Sequence, residues 1–133
     1  MKAVRLNALR SQLILILIIL LATGCINLNL ASTDERALEN LRESGSDFSK
    51  IHPFSFYIYH PNQEGAESIC AELAVQGFQI DAREAATGGE SLCFASLEML
   101  PTMENLARVE DLFNELTDQY GGEYDGWEAM VIP

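Results

Sequence analysis

The octapeptide PFSFYIYH, residues 53–60, alternates Phe54, Phe56 and Ile58 with Ser55, Tyr57 and Tyr59. Period-two alternation with this many aromatic side chains specifies a strand. Both faces carry apolar or aromatic groups, so the strand is expected at the centre of a sheet, with neighbours on either side. The rest of the chain has to supply them. After Pro61, Asn62 can cap a helix running to about Gln76, with Ala66, Ile69, Cys70, Leu73 and Ala74 at the spacing of a core-facing stripe. Gly77 is a natural stop for it. FQIDARE then alternates Phe78, Ile80 and Ala82 with Gln79, Asp81 and Arg83 and reads as a half-buried strand. ATGGES is a hairpin loop, because its adjacent glycines permit the backbone reversal, and LCFASLEML, residues 92–100, is a third strand. Pro101 and Thr102 open a second long helix with Leu106, Val109, Leu112, Phe113, Leu116 and Tyr120 on one face. Gly121 ends it, Asp125-Gly126 reads as a turn, and GWEAMVI supplies a fourth strand. Upstream, TDERALENLRESGSD reads as a mostly polar helix capped by Thr33 or Asp34, with Leu38 and Leu41 as a thin apolar stripe and an end near Gly45.

The order is therefore a helix followed by βαββαβ. Two amphipathic helices must cover one face of a four-stranded antiparallel sheet, which predicts an α+β fold of the ferredoxin-like kind preceded by an N-terminal helix. The other face of the sheet would carry Tyr57 and Tyr59. It is a candidate binding surface if the N-terminal helix leaves it open.

The beginning of the 133-residue chain belongs to a different class. Met1 to Arg10 holds Lys2, Arg5 and Arg10 without an acid, and LILILIILLA, Leu13 to Ala22, has no polar side chain. A basic start, a short apolar run and a small-residue exit form the pattern of a secretory signal peptide. The run is shorter than the roughly 20 residues that span a hydrocarbon core. An uncleaved anchor continuing through INLNLA is the alternative, interrupted by Asn27 and Asn29. The exit, LATGC, resembles the lipobox of bacterial lipoproteins, with alanine at position 22 where leucine is more usual. The resemblance implies cleavage before Cys25 and lipidation of its sulfur. Several acyl chains on one residue would hold the protein stably at a membrane. The expected organisation is a signal peptide at residues 1–24, a lipidated N-terminus and tether at 25–33, and a domain at 34–133. Ile26 is not the aspartate associated with inner-membrane retention, which points to a periplasm-facing lipoprotein of the outer rather than the inner membrane.

Cleavage before Cys25 would remove three of the eight basic residues and no acid, leaving 5 Lys and Arg against 20 Asp and Glu, a formal net charge of −15. Such a surface repels phosphate backbones, so direct nucleic-acid binding is not expected and a basic partner fits better. Cys70 and Cys93 could form a disulfide in an oxidising compartment or simply fill core space as small hydrophobes. Neither has zinc-site spacing, and no metal or other cofactor is expected. His52 and His60, about 26 Å apart along one strand, cannot share a ligand or a proton, and each is expected at the surface at a strand end. The acids fall mostly on the polar faces of helices, as solvated residues do. No serine has a nucleophile-elbow frame and no glycine-rich loop is followed by a phosphate-binding lysine. Nothing in the chain assembles an active site, and a non-enzymatic role is expected. Tyr124, Asp125 and Trp127, in GGEYDGWEAM, read either as a turn with a packed tryptophan or as part of a protein-binding edge.

With the βαββαβ order established, EYDGW after an amphipathic helix resembles the C-terminal signature of the regulator of ribonuclease E activity B (RraB) family. LRESGSDFSK resembles its acidic helix ending in Gly-Ser-Asp, AELAVQGFQID its helix into the second strand, and LCFASLEML its third strand. The resemblance runs from about Leu38 to Met130. It implies a small acidic protein without catalysis of its own that binds an endoribonuclease and lowers its activity. The family's named member is cytoplasmic, has no signal peptide and carries a long acidic tail. Here a lipobox precedes the domain. An exported domain would need a different protein partner, whereas an uncleaved anchor with the domain on the cytoplasmic side would keep ribonuclease E within reach.

Overall fold

The computed structural model describes residues 31–84 and 88–133. The proposed signal peptide and Cys25 lie outside the described residues. The elements are α1 (Thr33–Glu43), β1 (His52–His60), α2 (Gln63–Val75), β2 (Gln79–Glu84), β3 (Ser91–Met99), α3 (Met103–Tyr120) and β4 (Glu123–Ala129). Helix α1 starts one residue earlier than a Thr33 cap, and two earlier than an Asp34 cap, would place it. Ser32 is the cap, its hydroxyl accepting from the Glu35 N–H and its own N–H donating to the Glu35 carboxylate, a reciprocal capping box. Asn62 caps α2 as the sequence predicts, through its side-chain oxygen and the Gly65 N–H.

The four strands form one antiparallel sheet in the order β2-β3-β1-β4, so β1 is central. Its burial alternates over its whole length: His52, Phe54, Phe56, Ile58 and His60 are buried, while Ser55, Tyr57 and Tyr59 are half-buried on the opposite face. The buried row meets α2 and α3. Phe56 lies edge-on to Phe113 at 5.1 Å and to Phe78 at 6.0 Å, and Ile69, Leu73, Leu106, Val109 and Leu116 complete the core. The stripe of α2 ends at Leu73. Ala74, read as core from the helical spacing, is exposed in the last turn, just before the chain turns away at Gln76 and Gly77. Strand β2 is more exposed than its alternation predicts. It pairs only with β3 at the sheet's edge, and Ile80 and Ala82 are exposed although Phe78, just before the strand, is buried. Cys93, opposite Ile58 on β3, is bonded to Cys70 of α2, with their Cα atoms 5.6 Å apart.

Neither histidine is at the surface, and the hydrogen bonds explain why. Nδ1 of His52 lies 2.9 Å from the Lys50 carbonyl, which can only accept, so this nitrogen carries the proton. Nε2 therefore accepts from the Ser46 hydroxyl at 2.6 Å, and the Ser46 oxygen in turn accepts the Ile132 N–H at 2.9 Å. Asp47 N–H donates to the Ile132 carbonyl at 2.7 Å, so Ser46 and Asp47 of the Gly-Ser-Asp stretch hold down the segment after β4. At the other end of β1, His60 Nε2 donates to the carbonyl of Tyr120, at the end of α3, and Nδ1 lies within hydrogen-bond distance of both the carbonyl and the N–H of Asn62, at 2.9 and 3.1 Å. A helix-terminal carbonyl that would otherwise lack a partner is satisfied in this way. A Cβ on Gly65 would collide with the His60 ring, so α2 approaches β1 this closely only with glycine there.

The fourth strand departs most from expectation. Asp125-Gly126 is not a turn leading into it but a bulge within it. Tyr57 pairs with Gly126 and Ile58 with Tyr124, so Asp125 is an extra residue, and Gly126 takes a φ of 119°, which L side chains rarely adopt. Tyr124 and Trp127 are three residues apart and would point to opposite faces of a regular strand. The bulge puts both on the helix side, Tyr124 against Phe113 at 5.0 Å and Trp127 against Phe54 at 5.2 Å. Helix α1 packs on this side too: Leu38 joins the core, and the Trp127 indole N–H donates to Asp34 at 2.8 Å.

The Cys70–Cys93 bond closes a loop of 23 residues between α2 and β3. On loop-entropy grounds, reducing it should lower unfolding stability by about 3 kcal/mol. Urea unfolding with and without a reductant checks this, with Cys70→Ala/Cys93→Ala as the reference that a reductant should not affect.

Candidate functional site

The sheet face away from the helices is uncovered among the described residues. Register assigns its rows. Tyr57 is flanked by Phe94 on β3 and Gly126 on β4, Tyr59 by Leu92 and Glu123, and Ser55 by Ser96 and Glu128. Beyond β3, Asp81 lies opposite Phe94 and Arg83 opposite Leu92. The centre of the face is aromatic, with the Tyr57 and Phe94 rings edge to face at 5.5 Å. The Arg83 guanidinium stands over the Phe94 ring at 5.4 Å and pairs with Asp81 at 3.4 Å. On the other side, the Tyr57 hydroxyl donates to Glu128 at 2.6 Å. That bond to a carboxylate, reinforced by partial desolvation, pushes the Tyr57 phenol up to about 12, so it remains a donor at any physiological pH. Shallow grooves flank Pro53 at one end of the face. One, of about 260 Å³, is lined by Pro53, Gln79, Ser96 and Glu98, and the other, of about 280 Å³, by Pro53, Ser55, Glu128 and Met130.

The five residues that the sequence suggests for protein binding do not form one patch. Tyr57 and Tyr59 lie on the open face. Tyr124 and Trp127 are on the helix side, partly buried, and Asp125 is exposed at the bulge between them. Phe94, Arg83, Glu123 and Glu128 join the tyrosines instead. No sequence pattern marks them, because only strand pairing brings them together.

The helix side of β4 holds a separate polar cluster. Besides accepting from Trp127, the Asp34 carboxylate is hydrogen-bonded to Glu110 of α3. Partial burial of Glu110, then this hydrogen bond and the charges of Asp34 and Asp111, push the Glu110 carboxyl up to about 7. The Tyr124 hydroxyl is buried beside these two carboxyls without a hydrogen-bond partner among the described residues, and its phenol is raised by burial and by their charges. Among the described residues no group of three or more His, Cys, Asp or Glu side chains is placed to hold a metal ion. The buried Ser–His contact of Ser46 with His52 is part of the clamp on the C-terminal segment.

The described residues form an acidic α+β domain with an aromatic-centred sheet face and polar clusters that hold its elements together. Residues 31–129 match the family described as Regulator of ribonuclease activity B (RraB). The chain belongs to this family, and a regulatory, protein-binding role goes with that membership. No curated protein matches it.

Glu110 also generates a pH dependence with a definite sign. Its value in the folded protein, about 7, is above the ordinary 4.5, so folding favours the protonated carboxyl. The stabilisation is complete below 4.5 and is lost as pH rises through 7. Urea midpoints of the wild type should fall relative to those of Glu110→Gln across this interval and run parallel to them on either side. Fluorescence of Trp127, the only tryptophan, reports on the same cluster.

Proposed function

We propose that this chain is a membrane-anchored envelope lipoprotein that displays a ferredoxin-like RraB domain to a protein partner in the periplasm. The observation that carries the reading is the Cys70–Cys93 bond between helix and sheet. Disulfides persist in oxidising compartments and are rare where thiols are kept reduced. The reading also draws on LATGC, with Cys25 as the lipidated residue, and on Lys2, Arg5 and Arg10, which favour retaining the start of the chain in the cytoplasm while the remainder crosses the membrane. Ile26 after the cysteine favours the outer membrane as the destination.

In this reading the domain regulates by occupying a surface of its partner and contributes no catalytic group or cofactor. Its acidity argues against direct contact with nucleic acid and in favour of a basic partner. Family membership supports a second reading, in which the apolar run stays as an uncleaved anchor and the domain restrains ribonuclease E at the cytoplasmic side of the membrane.

A reporter active only outside the cytoplasm, fused after Pro133, should be active. Incorporation of a labelled fatty acid should be lost in Cys25→Ser. Activity only of a cytoplasmic reporter, with Cys70 and Cys93 both reduced in freshly trapped cells, would establish the second reading instead.

A further inference from the structure

We propose that the open sheet face binds an extended segment of the protein partner carrying arginines at alternate positions, Arg-x-Arg, with the guanidinium groups stacked on Tyr57 and Tyr59 and paired with Glu128 and Glu123. This rests on the protein-binding reading above but not on the compartment.

The face contains one finished example of the contact. Phe94 and Asp81 sit opposite each other on β3 and β2, and Arg83 completes the set, its guanidinium over the ring and ion-paired to the carboxylate. The same two parts occur twice more on the face without a guanidinium. Tyr59 sits directly opposite Glu123, and the Tyr57 hydroxyl is bonded to Glu128. Arginine, planar and weakly hydrated, can stack on a ring and pair with a carboxylate at the same time, which a compact ammonium does less well. Tyr57 and Tyr59 are two residues apart on one strand, about 7 Å, which is also the spacing of alternate side chains on an extended partner segment.

Charge selects the same occupant. The face's carboxylates are Asp81, Glu98, Glu123 and Glu128, against Arg83, which is already paired to Asp81. Glu98 lines one of the grooves beside Pro53 and Glu128 the other, so negative charge continues past the two tyrosines along β1. A neutral or acidic segment would leave these carboxylates partly desolvated without compensation.

The test uses the full chain in detergent micelles and three synthetic nine-residue peptides: one with Arg-Val-Arg-Val-Arg at its centre, one with lysine for arginine, and one with the arginines spaced three apart. Binding is followed by anisotropy of a fluorophore on the peptide, at low and at physiological salt. The alternating arginine peptide should bind, the lysine peptide about two- to fivefold more weakly, as expected for loss of the stacking contribution at an exposed site, and the three-spaced peptide more weakly as well. Glu123→Gln with Glu128→Gln should weaken the arginine peptide by about tenfold or more. Glu115→Gln with Asp118→Asn, the same charge change on α3, should leave it within about twofold. Equal losses from both double variants, equal binding of the arginine and lysine peptides, or no binding would overturn the proposal. So would peptide-independent dimerisation abolished by Tyr57→Ala, which would assign the face to a second copy of the chain. A failure here combined with an active extracytoplasmic reporter would remove the binding mode and leave the proposed anchoring standing.

Discussion

The buried row of β1, from His52 through Phe54, Phe56 and Ile58 to His60, is where most of the other elements meet. Phe56 receives Phe78 and Phe113, Phe54 receives Trp127, and Ile58 lies between Cys93, with its bond to α2, and Tyr124. A row of only three large apolar side chains would end abruptly where the backbone of other segments comes in. The histidines solve that. Each has two ring nitrogens that can hydrogen-bond, so a buried strand end can meet polar groups of two other segments without leaving them unpaired. His52 thereby holds the segment after α1 and, through Ser46, the segment after β4. His60 holds the end of α3 and the start of α2.

Much of this was legible in the sequence. The alternation of PFSFYIYH placed a strand with two occupied faces, and that strand is central. The spacing of Leu106, Val109, Phe113 and Leu116 picked out the buried side of α3, and Asn62 the start of α2. These signals are local: a side chain's fate is decided by its neighbours within two to four positions. The misreadings came where the deciding partner is remote. His52 and His60 look like polar strand ends until Ser46 and Tyr120 are placed beside them. Asp125-Gly126 has the composition of a turn and becomes a bulge only because β1 continues alongside it. Ile80 and Ala82 obey the pattern of a half-buried strand, yet edge position leaves them exposed.

The candidate site was less legible than the fold. The tyrosines of β1 could be assigned to the open face by parity alone. Their companions on β2, β3 and β4 depend on register, and register is set by the whole sheet. The tyrosine and tryptophan of EYDGW, part of the stretch that carries the sequence resemblance, are turned inward toward Phe113, Phe54 and α1. A conspicuous motif can thus be diagnostic of a fold because it packs, while the surface that meets a partner is assembled from unremarkable residues around it.

The extra residue in β4 has an outward consequence as well as an inward one. A regular strand with Trp127 kept against Phe54 would turn Tyr124 to the open face and Glu123 toward the helices. Asp125 reverses that parity, so one inserted residue buries a tyrosine and at the same time sets a carboxylate opposite Tyr59. The core and the exposed face are therefore in phase with each other through a single backbone irregularity. Regular pairing with Asp125 retained would not simply loosen the strand. It would exchange what the protein hides for what it presents.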